Sequence, residues 1–246
     1  MLSQEARCIY AKNPLAEVIC QLRFPEILTI ETELPAAFQE AIREKFPVFH
    51  QRKEGLAGKQ INNYQFVSAD GAWRVNLTSR FISLATSRYT RWEDFAGMLD
   101  GPLAAFFRIY RPAFFERVGL RYLNFISRKR LGLDGVPFRD LIMPCYLGIL
   151  AEETVSEAAT SRCTVDTDTM LMGGCRVKLH TGPGNVRLGK QSDPEVKFVL
   201  DIDLYMPGKV EVNLSAGALQ TLHAQSYGVF RGAITDTLHD AMEPID

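Results

Sequence analysis

The 246-residue chain lacks most of the marks by which enzymes and membrane proteins are recognised from sequence. Its five cysteines, Cys8, Cys20, Cys145, Cys163 and Cys175, are odd in number, and no two are separated by two residues. Neither a disulfide framework nor a zinc site is expected, and free thiols fit a reducing cytoplasm. No apolar run approaches the ~18 residues of a membrane span, and the opening MLSQEARCIY holds no apolar signal core. His50, His180, His223 and His239 have no His or Cys at helical metal spacing, and no Gly-x-Ser-x-Gly stretch offers a nucleophile elbow. The net charge of −1 gives no bulk field for nucleic acid or an acidic membrane. Gly184 to Gln191 comes near a phosphate loop, but Gln191 stands where the magnesium-binding Ser or Thr belongs, and Ser192-Asp193-Pro194 leads into a strand. No cofactor is implied.

What is present is strong strand patterning around residues 72–126. In Trp73-Arg74-Val75-Asn76-Leu77 apolar and polar residues alternate, the period of a half-buried strand. Tyr64 to Val67, the turn at Asp70-Gly71 and this strand predict a hairpin, which Phe81 to Thr86 extends to a meander. Thr90 and Glu93 have capping-box spacing, and Phe95, Leu99, Phe106 and Tyr110 recur at helical intervals. Gly101-Pro102 predicts a kink or break in that helix, Arg111-Pro112 ends it, and Val118 to Ile126 is the returning strand. Trp73 is expected in the core, with Trp92 a staple at the helix entry.

Upstream, Ala16 to Phe24 reads as a first strand. Phe38, Ala41, Ile42 and Phe46 form a helical stripe after Pro35. Residues 50–62 are polar with two glycines and are expected to be a surface loop. Downstream, Ala158 to Asp168, Cys175 to Thr181 and Val196 to Tyr205 read as strands, and Ala216 to Met242 as one long helix. The expected class is α+β, with antiparallel sheets, helices packed on one face of each, and two similar strand-strand-strand-helix halves. Residues 1–127 and 138–246 are the expected halves. Residues 128–137, from Arg128-Lys129-Arg130 to Pro137, are the expected joint.

The segments NPLAEVICQLRFP, WRVNLTSRFISLATSRYTRWEDF, ERVGLRYLNFI and LHAQSYGVFRGAITDTL resemble a sporadically distributed family of bacterial proteins of about this length. The family has no established function and no assigned active site. The resemblance implies a bacterial, cytoplasmic, single-chain protein, and the patchy distribution suits an accessory or mobile-element role.

Two sets of residues carry functional expectations. Residues 71–130 hold 11 Lys+Arg against 4 Asp+Glu, a local excess of +7. Arg74, Arg80, Arg88 and Arg91 are expected to form one anion-binding surface beside the N-terminus of the Thr90 helix. Otherwise each covers its own patch of strand, or pairs with Glu93 and Asp94. The lack of any nucleophile, acid–base or metal constellation beside this strongly patterned fold makes a non-enzymatic binding or interaction protein the leading expectation. Its partner would be an anionic ligand, a nucleic acid or another protein, with no membrane. The alternative is a metal-dependent phosphohydrolase acting on a polyphosphate or nucleotide. Arg176, Lys178 and His180 would then bind phosphates, and Asp201 and Asp203 a hard divalent metal. The default reading of the same row, with Asp166 and Asp168, is a wet face of ion pairs, each contributing at most about 1 kcal/mol.

Overall fold

The computed structural model describes residues 2–56, 58–188 and 191–245. In chain order the elements are β1 (Ile9–Tyr10), β2 (Leu15–Arg23), α1 (Leu28–Thr32), α2 (Ala36–Ile42), β3 (Val48–Leu56), β4 (Lys59–Val67), β5 (Trp73–Leu77), β6 (Phe81–Thr86) and α3 (Trp92–Tyr110). There follow β7 (Phe115–Ile126), α4 (Arg128–Leu131), β8 (Val165–Met170), β9 (Arg176–Leu188), β10 (Gln191–Val210), α5 (Ser215–Arg231), α6 (Asp236–Ala241) and β11 (Pro244–Ile245). The class is α+β with antiparallel strands. The chain divides into two compact units. The first is Glu17–Leu120 with Tyr205–Leu222, and the second is Met1–Ala16, Arg121–Leu204 and His223–Asp246. No helix among the described residues is long and apolar enough to cross a membrane.

In the first unit the strand order is β3-β4-β5-β6-β2-β7. Alternation sends Val18, Cys20 and Leu22 of β2, Ile82 and Leu84 of β6, Val75 and Leu77 of β5, and Tyr64 and Phe66 of β4 to one face, where all are buried. Helices cover that face through aromatic contacts. Phe38 of α2 lies 5.4 Å from Phe66 between ring centroids, Phe106 of α3 lies 4.8 Å from Phe24, and Phe95 lies 5.8 Å from Trp73. Asn62 ties α1 to β4, since its backbone and side-chain N–H groups both donate to Glu31.

Several expectations are corrected here. Residues 50–62 are not a loop: β3 and β4 pair from Val48↔Val67 to Leu56↔Lys59. The strand was hidden because β3 is a sheet edge, and edges carry charges such as Arg52, Lys53 and Glu54 that deter pairing with other chains. Helix α3 begins one residue later than the capping box required. Arg91 is its N-cap, and the Thr90 hydroxyl donates to the Asp94 carboxylate at 2.7 Å instead. The helix runs through Gly101-Pro102 to Tyr110, closed by Arg111 in the left-handed region. Trp92 is buried and Trp73 half-buried.

In the second unit the order is β7-β10-β9-β8, and β1 pairs with β11. Val177, Leu179, Phe198, Leu200 and Ile202 are buried, and the Phe138 ring meets Phe198 at 5.3 Å. Strand β8 starts at Val165, not Ala158. The long helix expected from Ala216 to Met242 is two helices. Helix α5 ends at Arg231, and Thr235 caps α6 by accepting from the Leu238 N–H at 3.4 Å. In the loop that came near a phosphate-loop pattern, β9 runs to Leu188 and β10 starts at Gln191, while Gly189 and Lys190 lie outside the described residues. Losing the α6 cap in Thr235→Ala should lower the stability by about 1 kcal/mol, read from urea denaturation midpoints at unchanged slope.

Candidate functional site

The other face of the first unit's sheet is built by the same alternation, and it is neither apolar nor simply wet. Across β3, β4, β5, β6 and β2 the register places His50, Gln65, Asn76, Ser83 and Gln21 in one row. Neighbouring strands lie about 4.8 Å apart, so the row spans roughly 19 Å. Gln65, Asn76 and Ser83 at its centre are buried. They form a directed chain: Gln65 Nε2 donates to Asn76 Oδ1 at 3.1 Å, and Asn76 Nδ2 donates to Ser83 Oγ at 3.1 Å. At the β2 end Gln21 Oε1 accepts from Arg23 Nε at 3.0 Å. Each such bond polarises the next in a poorly solvated setting.

Two residues along β4, Asn63 is 2% exposed. Its Nδ2 donates to Glu54, but its carbonyl oxygen Oδ1 is buried and has no hydrogen-bond partner among the described residues. On β5, Arg74 gives Nη2 to Glu17 at 3.2 Å while its Nε is likewise buried without a partner among the described residues. A buried polar atom left unpaired costs about 1–3 kcal/mol. The face thus holds an acceptor and a donor that are both unsatisfied, on either side of a row of neutral amides. No protein-family model matches this chain, and no curated protein sequence matches it.

Each predicted arginine holds a carboxylate. Arg74 pairs with Glu17 at 3.2 Å, Arg80 with Glu26 at 2.9 Å, Arg88 with Asp70 at 2.9 Å and Arg91 with Asp94 at 3.2 Å. Arg74 lies opposite Ala85, near the end of β6 that Arg88 follows, whereas Arg80 sits in the turn before β6. Six strand residues, roughly 20 Å, separate Arg80 from Arg88, so Arg80 is not brought to that end. The first turn of α3 carries Glu93 and Asp94, which already oppose its positive pole. The Ser68 hydroxyl, the Ala72 N–H and the Arg88 charge, in that order, hold the Asp70 carboxyl below its ordinary range, and the Thr90 hydroxyl followed by Arg91 does the same for Asp94.

In the second unit the register sets Asp166 opposite His180 and Asp168 opposite Lys178. The His180 ring lies 2.7 Å from Asp166, and Arg176 and Lys178 approach Asp168 at 2.9 and 3.7 Å. These exposed cross-strand pairs are each worth at most about 1 kcal/mol. Asp201 is engaged by Arg121 of β7, whose Nε lies 2.7 Å from Oδ1, and Asp203 is half-buried two residues further along β10. Among the described residues no group of three or more His, Cys, Asp or Glu side chains is placed to share a metal ion. A metal at Asp201 would first have to displace Arg121.

The amide row was missed in the sequence because its members are far apart in the chain. The usable signal was chemical. One outward position near the middle of each of β4, β5, β6 and β2 carries Gln65, Asn76, Ser83 or Gln21, where a solvated face would carry Lys or Glu. Two outcomes follow from the groups above. The Asp70 carboxyl is depressed in the folded chain, so its contribution is present above the ordinary carboxylate range and lost as pH falls through the lowered value. Ser68→Ala should move the Asp70 titration upward in carboxyl-carbon NMR. Burial pushes the Cys20 thiol up to about 12, opposed by the Arg117 charge, whereas Cys145 is exposed. A thiol reagent at mildly alkaline pH should label Cys145 in the native chain, and Cys20 only after denaturation.

Proposed function

We propose that the chain is a bacterial, cytoplasmic, non-enzymatic binding protein of the sporadically distributed family that its segments resemble, and that its ligand docks on the polar sheet face of the first unit. The observation that carries this reading is the buried Gln65–Asn76–Ser83 chain beside the unpaired Asn63 carbonyl. Buried neutral amides lower stability relative to an apolar face unless every group is paired. Departures of this kind concentrate at functional sites. The ligand is uncharged where it meets the row. Glu17 and Glu54 share the face with Arg23, Arg52 and Arg74, Arg74 is paired with Glu17, and the buried centre of the row, Gln65, Asn76 and Ser83, carries no charge. It presents a donor to Asn63 Oδ1 and an acceptor to Arg74 Nε.

The test follows the side-chain NH2 resonances of Asn63, Gln65 and Asn76 while the full chain is titrated with maltotriose, with adenosine, with a neutral tripeptide and with a single-stranded RNA octamer. A saturable shift from a neutral probe is expected, and it should vanish in Ser83→Ala without loss of the folded spectrum. Shifts from RNA alone, centred on Arg74, Arg80, Arg88 and Arg91 and steeply weakened by salt, would replace this reading with the basic surface. Silence from every probe removes the face as a site, and turnover of any probe removes the non-enzymatic reading.

A further inference from the structure

Within the second unit, the first residues of the chain lie along α5. The Ser3 N–H donates to the Gly228 carbonyl at 2.9 Å. The Glu5 carboxylate accepts from Arg231 Nε at 2.7 Å, Arg7 Nη1 reaches His223 Nε2 at 3.0 Å, and Cys8 Sγ lies 3.3 Å from the Tyr227 hydroxyl. Contacts of four kinds thus recur along one stretch of helix. The approach depends on a missing side chain, because a Cβ at Gly228 would lie 3.0 Å from the Ser3 carbonyl oxygen. A cavity of about 300 Å³ remains between segment and helix, lined in part by Leu2, Glu5, Arg7, His223 and Tyr227.

The proton inventory at His223 is fixed by its neighbours. A guanidinium has donors only, so Nε2 must present its lone pair to Arg7. The ring proton is then on Nδ1, which lies 3.0 Å from the Tyr122 hydroxyl of β7. This contact requires a neutral imidazole. A proton added at Nε2 removes the acceptor and sets a second cation against Arg7. The groups near the ring include Arg7 from the N-terminal segment, Tyr122 from β7, Tyr227 one turn along α5 and Glu5 in the same cavity. The Glu5 carboxylate is held by Arg231, which also reaches Asp236.

We propose that residues 2–8 form a strap over α5 that protonation of His223 releases. This is independent of the binding reading above. The closed strap excludes a proton that the open one takes up. Closure is therefore complete above the range in which imidazoles ordinarily titrate, around pH 6.5, and is lost as pH falls through it. Release uncovers the α5 surface around His223 and Tyr227.

The experiment measures exchange of the Ser3 amide proton by NMR in the full chain, corrected for the intrinsic pH dependence of exchange. Protection should fall by about tenfold between about pH 7.5 and about pH 5.5. His223→Gln offers Arg7 a carbonyl acceptor that does not titrate, and it should keep Ser3 protected at both values. Arg7→Leu alters an exposed side chain and should leave Ser3 unprotected at both. Equal wild-type protection at the two values overturns the proposal, and so does an undiminished pH response in His223→Gln or a protected Ser3 in Arg7→Leu.

Discussion

The register of β6 is the constraint on which the first unit depends. Ser83 stands opposite Asn76 on one side and Gln21 on the other, while Leu84 stands between Val75 and Cys20. A slip of one residue in either pairing would turn every side chain of the moved strand to the other face. It would set Ser83 under α3 and Leu84 into the amide row at once. The apolar face and the polar row therefore hold each other in register. The helices select the pairing that buries Val75, Leu84 and Cys20, and the amide chain closes only in that same pairing.

Much of this was legible in the strands themselves. For β2, β5, β6 and β7 the period-two pattern marks the elements to within a few residues, because alternate positions in each form a buried, mostly apolar set. Strand β3 escaped because its residues are polar on both faces, and a pattern with no apolar stripe cannot be told from a loop. The α5–α6 break escaped for the opposite reason. Leu222, Phe230, Ile234 and Leu238 keep helical spacing across it, and only Gly232 and Thr235 mark the stop. Thr90 and Glu93 have the spacing of a capping box, but spacing does not decide which carboxylate the hydroxyl takes. Asp94 took it.

The candidate site was harder to read because register, which no single strand encodes, creates it. Gln21, Gln65, Asn76 and Ser83 are visible as residues, but their alignment follows from three separate pairings. The charges misled for the same reason. The excess of +7 over residues 71–130 is local to the sequence and not to space. Arg74, Arg80 and Arg88 meet Glu17, Glu26 and Asp70, and Arg121 and Arg128 meet Asp201 and Glu157. All five carboxylates come from outside that window, Asp70 from its very edge and the other four from remote strands and loops, so charge counted along the segment overstates its charge in space.

A neutral row selects ligands differently from the ion pairs around it. An arginine patch attracts any phosphate at a distance and loses that attraction with salt. Gln65, Asn76 and Ser83 exert no long-range pull, and two of their hydrogen bonds are already made with one another. A ligand that only rests on the row gains little. The unsatisfied Asn63 Oδ1 and Arg74 Nε change that balance, because a donor and an acceptor set at the matching positions relieve a standing deficit. An analogue lacking either group leaves that deficit in place. Discrimination by an unpaired buried group is larger than discrimination by shape or apolar fit. If the proposed ligand docks here, this face would favour selectivity among uncharged ligands over strength toward charged ones.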